Sequence, residues 1–436
     1  MKVEILSRKF IKPSTLTHHS LRDHKISFID ELAPSMNVPI ILYYPAQCNN
    51  DAAKNASLFN QLEKSLAETL TQFYPLAGRY IKDDHVIYCN DQGVDYVEAR
   101  VDVQLLEFLD HGDNKPQFFN QFIPRETGAV DETTDPLLSI QLSMFECGGL
   151  AVGVSIAHRI ADASTLSTFL NAWAIASRVG IDNVTVHPSF NSVFIPGRNL
   201  PALNLGIPRS GDNGAKTRMF FFNKKAISTL RTKASTDNDN KGKRGPTRVL
   251  LVSAVIWRAL VAVAQAKHGH PRASGVLQTI NLRKKTVPPL PEHSCGNFWG
   301  LAMTGCMGDE SRMELQGFVD LIGAAIRNTV TDSANVLSLG EDGHMKLIKA
   351  FIEANQNFSN AKMDSYLFTS WCRFPFYEID FGWGKPVWTS LVSVPVKNFI
   401  CLMDNKEGDG IEAWVFLDEK DMVDFEQDQT IRAFTT

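Results

Sequence analysis

The stretch GGLAVGVSIAHRIADASTLSTF, Gly148 to Phe169, decides how this chain is read. It opens on two glycines, runs mostly apolar, sets a histidine four residues before an aspartate, and then turns helical. In a strand, Val152, Val154, Ile156 and His158 share one face, and Ala151, Gly153, Ser155 and Ala157 share the other. The second face is small enough for another element to approach closely. Ala161-Asp162-Ala163-Ser164 before LSTFLNAWAIAS reads as a helix entry, so the strand should end at His158. A histidine at a strand terminus is placed to face a cleft, and a near-neutral imidazole can take a proton at pH 7.

Spacing by itself does not separate a catalytic histidine from a structural one. His19-Ser20-Leu21-Arg22-Asp23 repeats the interval near the N-terminus. Nor need His158 and Asp162 meet: where the backbone leaves the strand between them, an aspartate before a helix serves as a cap or an ion-pair partner. Gly153-Val154-Ser155-Ile156-Ala157 nearly spells a nucleophile elbow. That motif needs its serine on a sharp strand-to-helix turn, and Ser155 lies inside the strand.

Two further stretches carry chemistry-bearing residues. In YEIDFGWGKP, Tyr377 to Pro386, Asp380-Phe381-Gly382 looks like a kinase metal-binding motif, and HRIAD like a kinase catalytic loop. The kinase arrangement also requires His-Arg-Asp with a following Asn, a Gly-rich loop and an early-strand Lys, none of which is present. Gly382 and Gly384 around Trp383 instead mark a tight loop buttressed by an aromatic. In QTINLRKKTVPPLPEHSCGNFWG, Gln278 to Gly300, a strand carrying Arg283 precedes Pro288-Pro289-Leu290-Pro291, which must be extended. An arginine in an apolar strand needs a carboxylate partner, and Asp162 is one the chain could offer.

The bulk composition narrows the classes. A length of 436 residues suits two or three domains, and 21% charged residues with a net charge of −4 argue against nucleic-acid or anionic-membrane binding. No apolar run is expected to reach the roughly 18 residues of a transmembrane helix, and the charged opening MKVEILSRKF lacks the apolar core of a secretory signal. Seven scattered cysteines without a Cys-x-x-Cys fit reduced thiols in the cytoplasm and suggest neither a disulfide framework nor a metal site.

Along the chain, VPIILYY (Val38 to Tyr44) reads as a strand, and SLFNQLEKSLAETLTQF as an amphipathic helix with Leu58, Phe59, Leu62, Leu66, Leu70 and Phe73 on its apolar face. Two hairpins are expected, one around Asp91-Gln92-Gly93 and one turning at Glu146 to Gly149. From Asn183 to Gly214 the chain is rich in Pro, Gly, Asn and Ser and reads as a crossover or domain boundary. TRMFFFN follows as a strand. Ser235 to Pro246 reads as a polar surface loop, then a mostly buried helix starts at a Thr247 cap. NFICLMDNKEGDGIEAWVFLD reads as a hairpin with Gly408 and Gly410 in its turn.

Taken together these pieces resemble the plant BAHD acyltransferases, which move an acyl group from coenzyme A to an alcohol or amine. His158-Arg159-Ile160-Ala161-Asp162 matches that family's catalytic motif and Asp380-Phe381-Gly382-Trp383-Gly384 its second signature. FYPLAGR, NLRKK…PPLP…GN and TSWCRFPFYEIDFGWGKP stand in the expected order, so the resemblance spans essentially the whole chain. It implies an α/β fold of two chloramphenicol-acetyltransferase-like domains, each a mixed sheet flanked by helices. The expected division is 1–195 with the His-x-x-x-Asp motif, a crossover loop at 196–215, and 216–436 with the DFGWG motif.

The resemblance also implies roles. His158 would be the general base, Trp371 and Thr369 the donors to the oxyanion, and Asp162 a scaffold paired with Arg283. Asp380, Gly382, Trp383 and Gly384 would shape a wall near the coenzyme A path, and Ser370 would lie on that path. Lys241 and Arg244, in a basic cluster, could meet the coenzyme's phosphates or could be a solvated loop. Acyl-CoA would be a co-substrate, with no permanent cofactor and no metal. The opening IKPSTLT…LRDHKISFID looks most like the branch acting on alkaloids, terpenoids and other hydrophobic alcohols, many with acetyl-CoA. Acylation of an amine, a different acyl group, or a silent ligand-binding relative are the competing expectations. A cytoplasmic monomer is expected, with no nucleic-acid or membrane partner.

Overall fold

The structure is a computed structural model that describes residues 1–46, 52–112, 116–125, 127–128, 130, 132–201, 214–234, 245–307, 314–358 and 362–435. In chain order the first strands are β1 (Val3–Ile11), β2 (Asp23–Lys25), β3 (Asn37–Tyr44), β4 (Arg79–Ile81), β5 (Val86–Tyr88) and β6 (Val94–Val101). Then come β7 (Leu138–Phe145), β8 (Leu150–Ala157), β9 (Ser189–Phe190), β10 (Ala215–Phe222), β11 (Ala273–Asn281) and β12 (Ser294–Cys295). The last are β13 (Trp299–Cys306), β14 (Met363–Ser370), β15 (Trp388–Ser390), β16 (Phe399–Asp404) and β17 (Ile411–Asp418). The helices are α1 (Phe28–Leu32), α2 (Ala52–Gln72), α3 (Leu105–Gly112), α4 (Ala163–Val179) and α5 (Lys224–Lys233). They continue with α6 (Arg248–His268), α7 (Leu315–Ser333), α8 (Glu341–Phe358), α9 (Glu419–Gln427) and α10 (Gln429–Phe434).

The chain forms two units, and neither is one continuous segment. The first comprises Met1–Asp212, Pro291–Phe298 and Phe374–Pro395, the second Asn213–Leu290, Trp299–Arg373 and Val396–Thr436. This corrects the simple division expected at 195 and 216: the DFGWG segment belongs to the first unit. The reason is pairing. Trp388 to Ser390 hydrogen-bond antiparallel to β3, and Ser294-Cys295 align parallel to β9, so two late pieces of chain complete the early unit. Residues 202–213 of the expected crossover lie outside the described residues.

The first unit is built on a six-stranded mixed sheet ordered β1-β6-β7-β8-β3-β15, in which only β6 and β7 run parallel. The hairpin expected at Glu146 to Gly149 joins β7 to β8, with Leu142 opposite Val152 and Gly148 in the left-handed region at φ 82°. Both strands are buried along their whole length, β8 as a nearly continuous apolar run and β7 with Ser139, Gln141 and Ser143 buried between its apolar residues. The small face of β8 is used for close approach. A Cβ on Gly153 would lie 1.8 Å from the Phe122 carbonyl oxygen. Gly153→Ala should therefore destabilise the protein by about 3 kcal/mol, the upper end for overpacking, because the obstacle is backbone. A melting temperature equal to wild type would contradict this close approach.

The other expected hairpin does not form. β5 pairs with β2 and β4 in a separate three-stranded sheet, while β6 pairs with β1 and β7. The turn between them is pulled aside by tertiary bonds. Thr17 N and Oγ1 donate to the Asp91 carboxylate at 2.9 and 2.6 Å, and Gly93 N donates to the Ala77 carbonyl at 2.9 Å.

α2 and α4 cover this sheet with their apolar faces. Phe59, Leu62, Leu66, Leu70 and Phe73 are buried as expected, while Leu58 is only part-buried. Trp173 of α4 is fully buried and donates Nε1–H to the Leu62 carbonyl at 3.2 Å.

The second unit has its own six-stranded sheet, ordered β10-β17-β16-β14-β11-β13. Its core gathers around α6, whose Thr247 cap accepts from Leu250 N and whose C-terminus is closed by left-handed Gly269. By length and composition α6 could cross a membrane, contrary to the expectation that no run was apolar enough. It is the core helix here: 67% of its apolar stretch is buried, and Trp257 donates Nε1–H to Ser274 Oγ at 2.9 Å. β16 and β17 form the expected hairpin, with Gly408 at φ 70° and Gly410 N donating to Asn405 Oδ1 at 2.8 Å. α7 and α8 were not foreseen from periodicity. Arg283 lies just after β11 ends at Asn281, in a turn rather than in a strand.

Candidate active site

β8 carries the chain to Ala157, and there it leaves the sheet. His158 N still donates to the Met36 carbonyl at 2.8 Å, then Ile160 N turns back to the Ala157 carbonyl at 3.2 Å. Asp162 sits extended at φ −93°, ψ 179° and caps α4, its Oδ1 accepting from Thr165 N at 2.9 Å. Its other oxygen accepts from Phe298 N at 3.2 Å. Asp162 is thus engaged with the start of α4 and with a segment 136 residues downstream. Its effect on the His158 ring is through-space attraction for the charged form.

His158 is part-exposed, at the end of an otherwise buried strand. Burial pushes its pKa below the ordinary histidine value, more than hydrogen bonds to its own main chain and to Asn297, and the Asp162 charge, push it up. The neighbouring Arg159 adds to the lowering. The imidazole is therefore neutral, and able to accept a proton, at pH 7.

The loop around His158 is held by residues that sequence reasoning had given no role. Asn297 is fully buried, and its Nδ2 donates to the His158 carbonyl at 2.5 Å and to Asp30 Oδ1 at 2.8 Å. Asn297 N donates to the same Asp30 oxygen at 2.6 Å. Asp30 Oδ2 accepts from Ser27 N at 2.9 Å and Ser27 Oγ at 2.6 Å, a capping box on α1. Burial raises the Asp30 pKa to about 6 against the pull of these four donors. On the other side, Arg159 donates to the Glu31 carbonyl at 2.6 Å and to Ser35 Oγ at 2.5 Å, its guanidinium 5.5 Å from the Tyr80 ring centre. Glu31 in turn accepts from the main-chain N–H groups of Arg198, Asn199 and Leu200 at 2.9 to 3.0 Å. The Ser-x-x-Asp box at Ser27 was the readable signal for Asp30; Asn297 stood only as part of the Gly296-Asn297 piece of the resemblance, with no role attached.

The DFGWG segment is a loop tied to the far end of α4. Asp380 Oδ1 accepts from Gly382 N at 2.8 Å and Gly384 N at 2.9 Å, and Arg178 lies 3.5 Å from Oδ2. Partial burial would raise the Asp380 pKa, but these N–H groups and Arg178 outweigh it and hold it below the usual value. Gly382 and Gly384 sit at φ 114° and 102°, where a side chain is strained. Phe381 and Trp383 stack at 5.4 Å, Trp173 meets Phe381 edge-on at 4.7 Å, and Tyr44 packs against both. One helix, α4, therefore has the His158 loop at its start and the DFGWG loop at its end.

The remaining expected residues lie in the second unit. Thr369 and Ser370 end β14, and Trp371, mostly buried, follows with its N–H on the Leu402 carbonyl at 2.8 Å. Thr279 Oγ1 donates to Thr369 Oγ1 at 2.8 Å. Arg283 is buried and its main-chain carbonyl accepts from Leu290 N at 3.0 Å. Lys241 and Arg244 lie outside the described residues.

Comparison with known proteins agrees with this arrangement. The family model described as the Transferase family matches residues 1–431. A pelargonidin 3-O-(6-caffeoylglucoside) 5-O-(6-O-malonylglucoside) 4'''-malonyltransferase of Salvia splendens is 35% identical over 100% of both chains. Stemmadenine O-acetyltransferase of Catharanthus roseus is 35% identical over 97% of this chain and 95% of its own. The crystal structure of vinorine synthase superposes with a TM-score of 0.82 at 33% identity, covering 100% of this chain and 98% of that one. The chain belongs to this transferase family, the BAHD acyltransferases, enzymes that use acyl-CoA as co-substrate.

Proposed function

We propose that this acyltransferase moves an acetyl group from acetyl-CoA to a hydroxyl of a hydrophobic specialised metabolite of the alkaloid or terpenoid kind, with His158 as general base. The observation that carries the reading is a part-exposed histidine at the end of a buried strand, its main chain held on both sides by hydrogen bonds to Met36 and Asn297, with burial lowering the pKa of its ring. An alcohol is a weak nucleophile. As its oxygen attacks the thioester carbonyl, His158 takes the hydroxyl proton, so no free alkoxide forms. Negative charge gathers on the carbonyl oxygen, where the Trp371 indole N–H and the Thr369 hydroxyl would donate. The carbon–sulfur bond then breaks, and coenzyme A leaves as a sulfur group of thiol pKa about 8.5, which the imidazolium can protonate. Pairing of Asp162 with Arg283, and contacts of Ser370, Lys241 and Arg244 with coenzyme A, belong to the same proposal.

The acceptor rests on the opening segment's resemblance and on a relative named as an O-acetyltransferase. An equally similar relative is named as a malonyltransferase, which supports a second reading: malonyl transfer to a glycosylated acceptor. The test is to offer acetyl-, malonyl- and longer acyl-CoAs with hydrophobic alcohols, glycosides and amines, and to read products by mass spectrometry beside free-thiol release. Acetylated hydrophobic alcohol is the expected product. Malonylated glycoside would replace the acetyl reading, an amide would move the chemistry to nitrogen, and no product with any pair would leave only the fold and push the binding-protein reading forward.

The pH dependence follows from the site. Because burial lowers the His158 pKa, the base stays deprotonated until pH falls below the ordinary histidine value of about 6.5. The acid limb of kcat/KM should therefore lie below about 6.5. A limb at or above pH 7 would sink this assignment.

A further inference from the structure

We infer that Asn297, fixed by the buried carboxylate of Asp30, is the residue that positions the His158 imidazole. The inference deepens the proposed function and rests on His158 being the base. The pair His158 and Asp162 invites a different assignment, but the oxygens of Asp162 accept from Thr165 and Phe298. Asn297 touches His158 directly. Its Nδ2 faces the His158 carbonyl and an Asp30 oxygen, both acceptors, so the amide is oriented by chemistry: nitrogen towards these two, oxygen away. With both amide hydrogens engaged, the side chain ties the His158 carbonyl to a buried carboxylate. The same side chain favours the charged form of the ring, so it acts on the imidazole as well as on the main chain that carries it. Holding the His158 carbonyl fixes where the ring sits, and the same side chain favours the imidazolium that forms during transfer.

Asp30 makes the geometry rigid. Its carboxylate takes four hydrogen bonds, two from Ser27 and two from Asn297, so the amide cannot rotate without stranding a buried charge. All four residues belong to the first unit, although Asn297 lies 267 residues from Asp30 in sequence. The charged groups that act on the ring are Asp162, which favours the imidazolium, and Arg159, which opposes it, with Asp30 behind Asn297.

The test compares wild type with Asn297→Ala, Asp30→Asn, the double variant, and Ser27→Ala as a mild change remote from the ring. A displaced base costs rate rather than binding, so Asn297→Ala should lower kcat by about 10- to 100-fold while KM for both substrates stays within about threefold. Asp30→Asn should act in the same direction, and the double variant should be no worse than Asn297→Ala, because both act through one connection. Titration of the His158 ring by nitrogen-15 NMR in the free protein should show a lower pKa in Asn297→Ala, since an interaction favouring the charged form is gone. A purely structural role would not move that titration. If Asn297→Ala fails to fold, Ser27→Ala should still show a smaller loss of kcat and a smaller shift in the same direction. Wild-type kcat and titration in folded Asn297→Ala, or in Ser27→Ala where it must stand in, overturns the inference alone. A His158→Ala enzyme that keeps its activity overturns the base assignment and this inference together.

Discussion

His158→Ala should lower kcat/KM by about 10²- to 10⁴-fold, the contribution of a positioned general base. The variant should fold as wild type does, because the links that shape this loop run through main-chain atoms of residue 158: its N–H to Met36 and its carbonyl to Asn297. The loss should fall on kcat, with coenzyme A affinity retained, since no binding contact is assigned to the ring. His158→Gln should be no better than alanine, as an amide cannot take a proton at neutral pH. Steady-state rates for both variants, with direct measurement of coenzyme A binding, check this. Activity within tenfold of wild type in His158→Ala would end the base assignment, and lost binding would mean that the ring supports the substrate site instead.

Trp173→Ala carries the largest expected cost in stability, about 3 to 5 kcal/mol for truncating a buried indole. Trp173 is fully buried, hydrogen-bonded to the Leu62 carbonyl and Ser65 Oγ, stacked near Phe169 and edge-on to Phe381. Removing it takes a donor from the Leu62 carbonyl and Ser65 Oγ, which keep their own bond at 3.1 Å, and opens a space between α4 and the DFGWG loop. At about 2 to 4 °C per kcal/mol for a unit of this size, the melting transition should fall by roughly 6 to 20 °C. Trp173→Phe should lose less, because it keeps ring contact with Phe381. The two melting curves decide the matter, and a fall under about 3 °C for alanine would show that α4 does not depend on this side chain for its packing.

Legibility followed the range of the interactions. The β7–β8 hairpin, the helix entry at Asp162, the Thr247 cap and the glycine turn at 408–410 were readable because turn and cap chemistry acts over two to five residues. The supposed hairpin at 86–101 failed for the same reason. Its local signal was genuine, but Asp91 is held by Thr17 and Gly93 by Ala77, bonds no short window contains. α6 was correctly read as a buried helix, while α7 and α8 went unread although their apolar residues gather on one face at least as clearly.

By itself, the sequence determined the family and the two mixed-sheet units, because these rest on residue types in order along the chain. Only the tertiary structure decided which pieces complete which unit and what holds the loop at His158. β15 joins a sheet whose nearest strand, β3, lies more than 300 residues earlier, and Asn297 meets Asp30 and His158 from the middle of the chain. The physical reason is that a buried carboxylate, a main-chain carbonyl and an amide must satisfy one another wherever the fold brings them. Burial and pairing at that distance leave no periodicity in sequence, and they are what turn a common four-residue spacing into a firmly held loop.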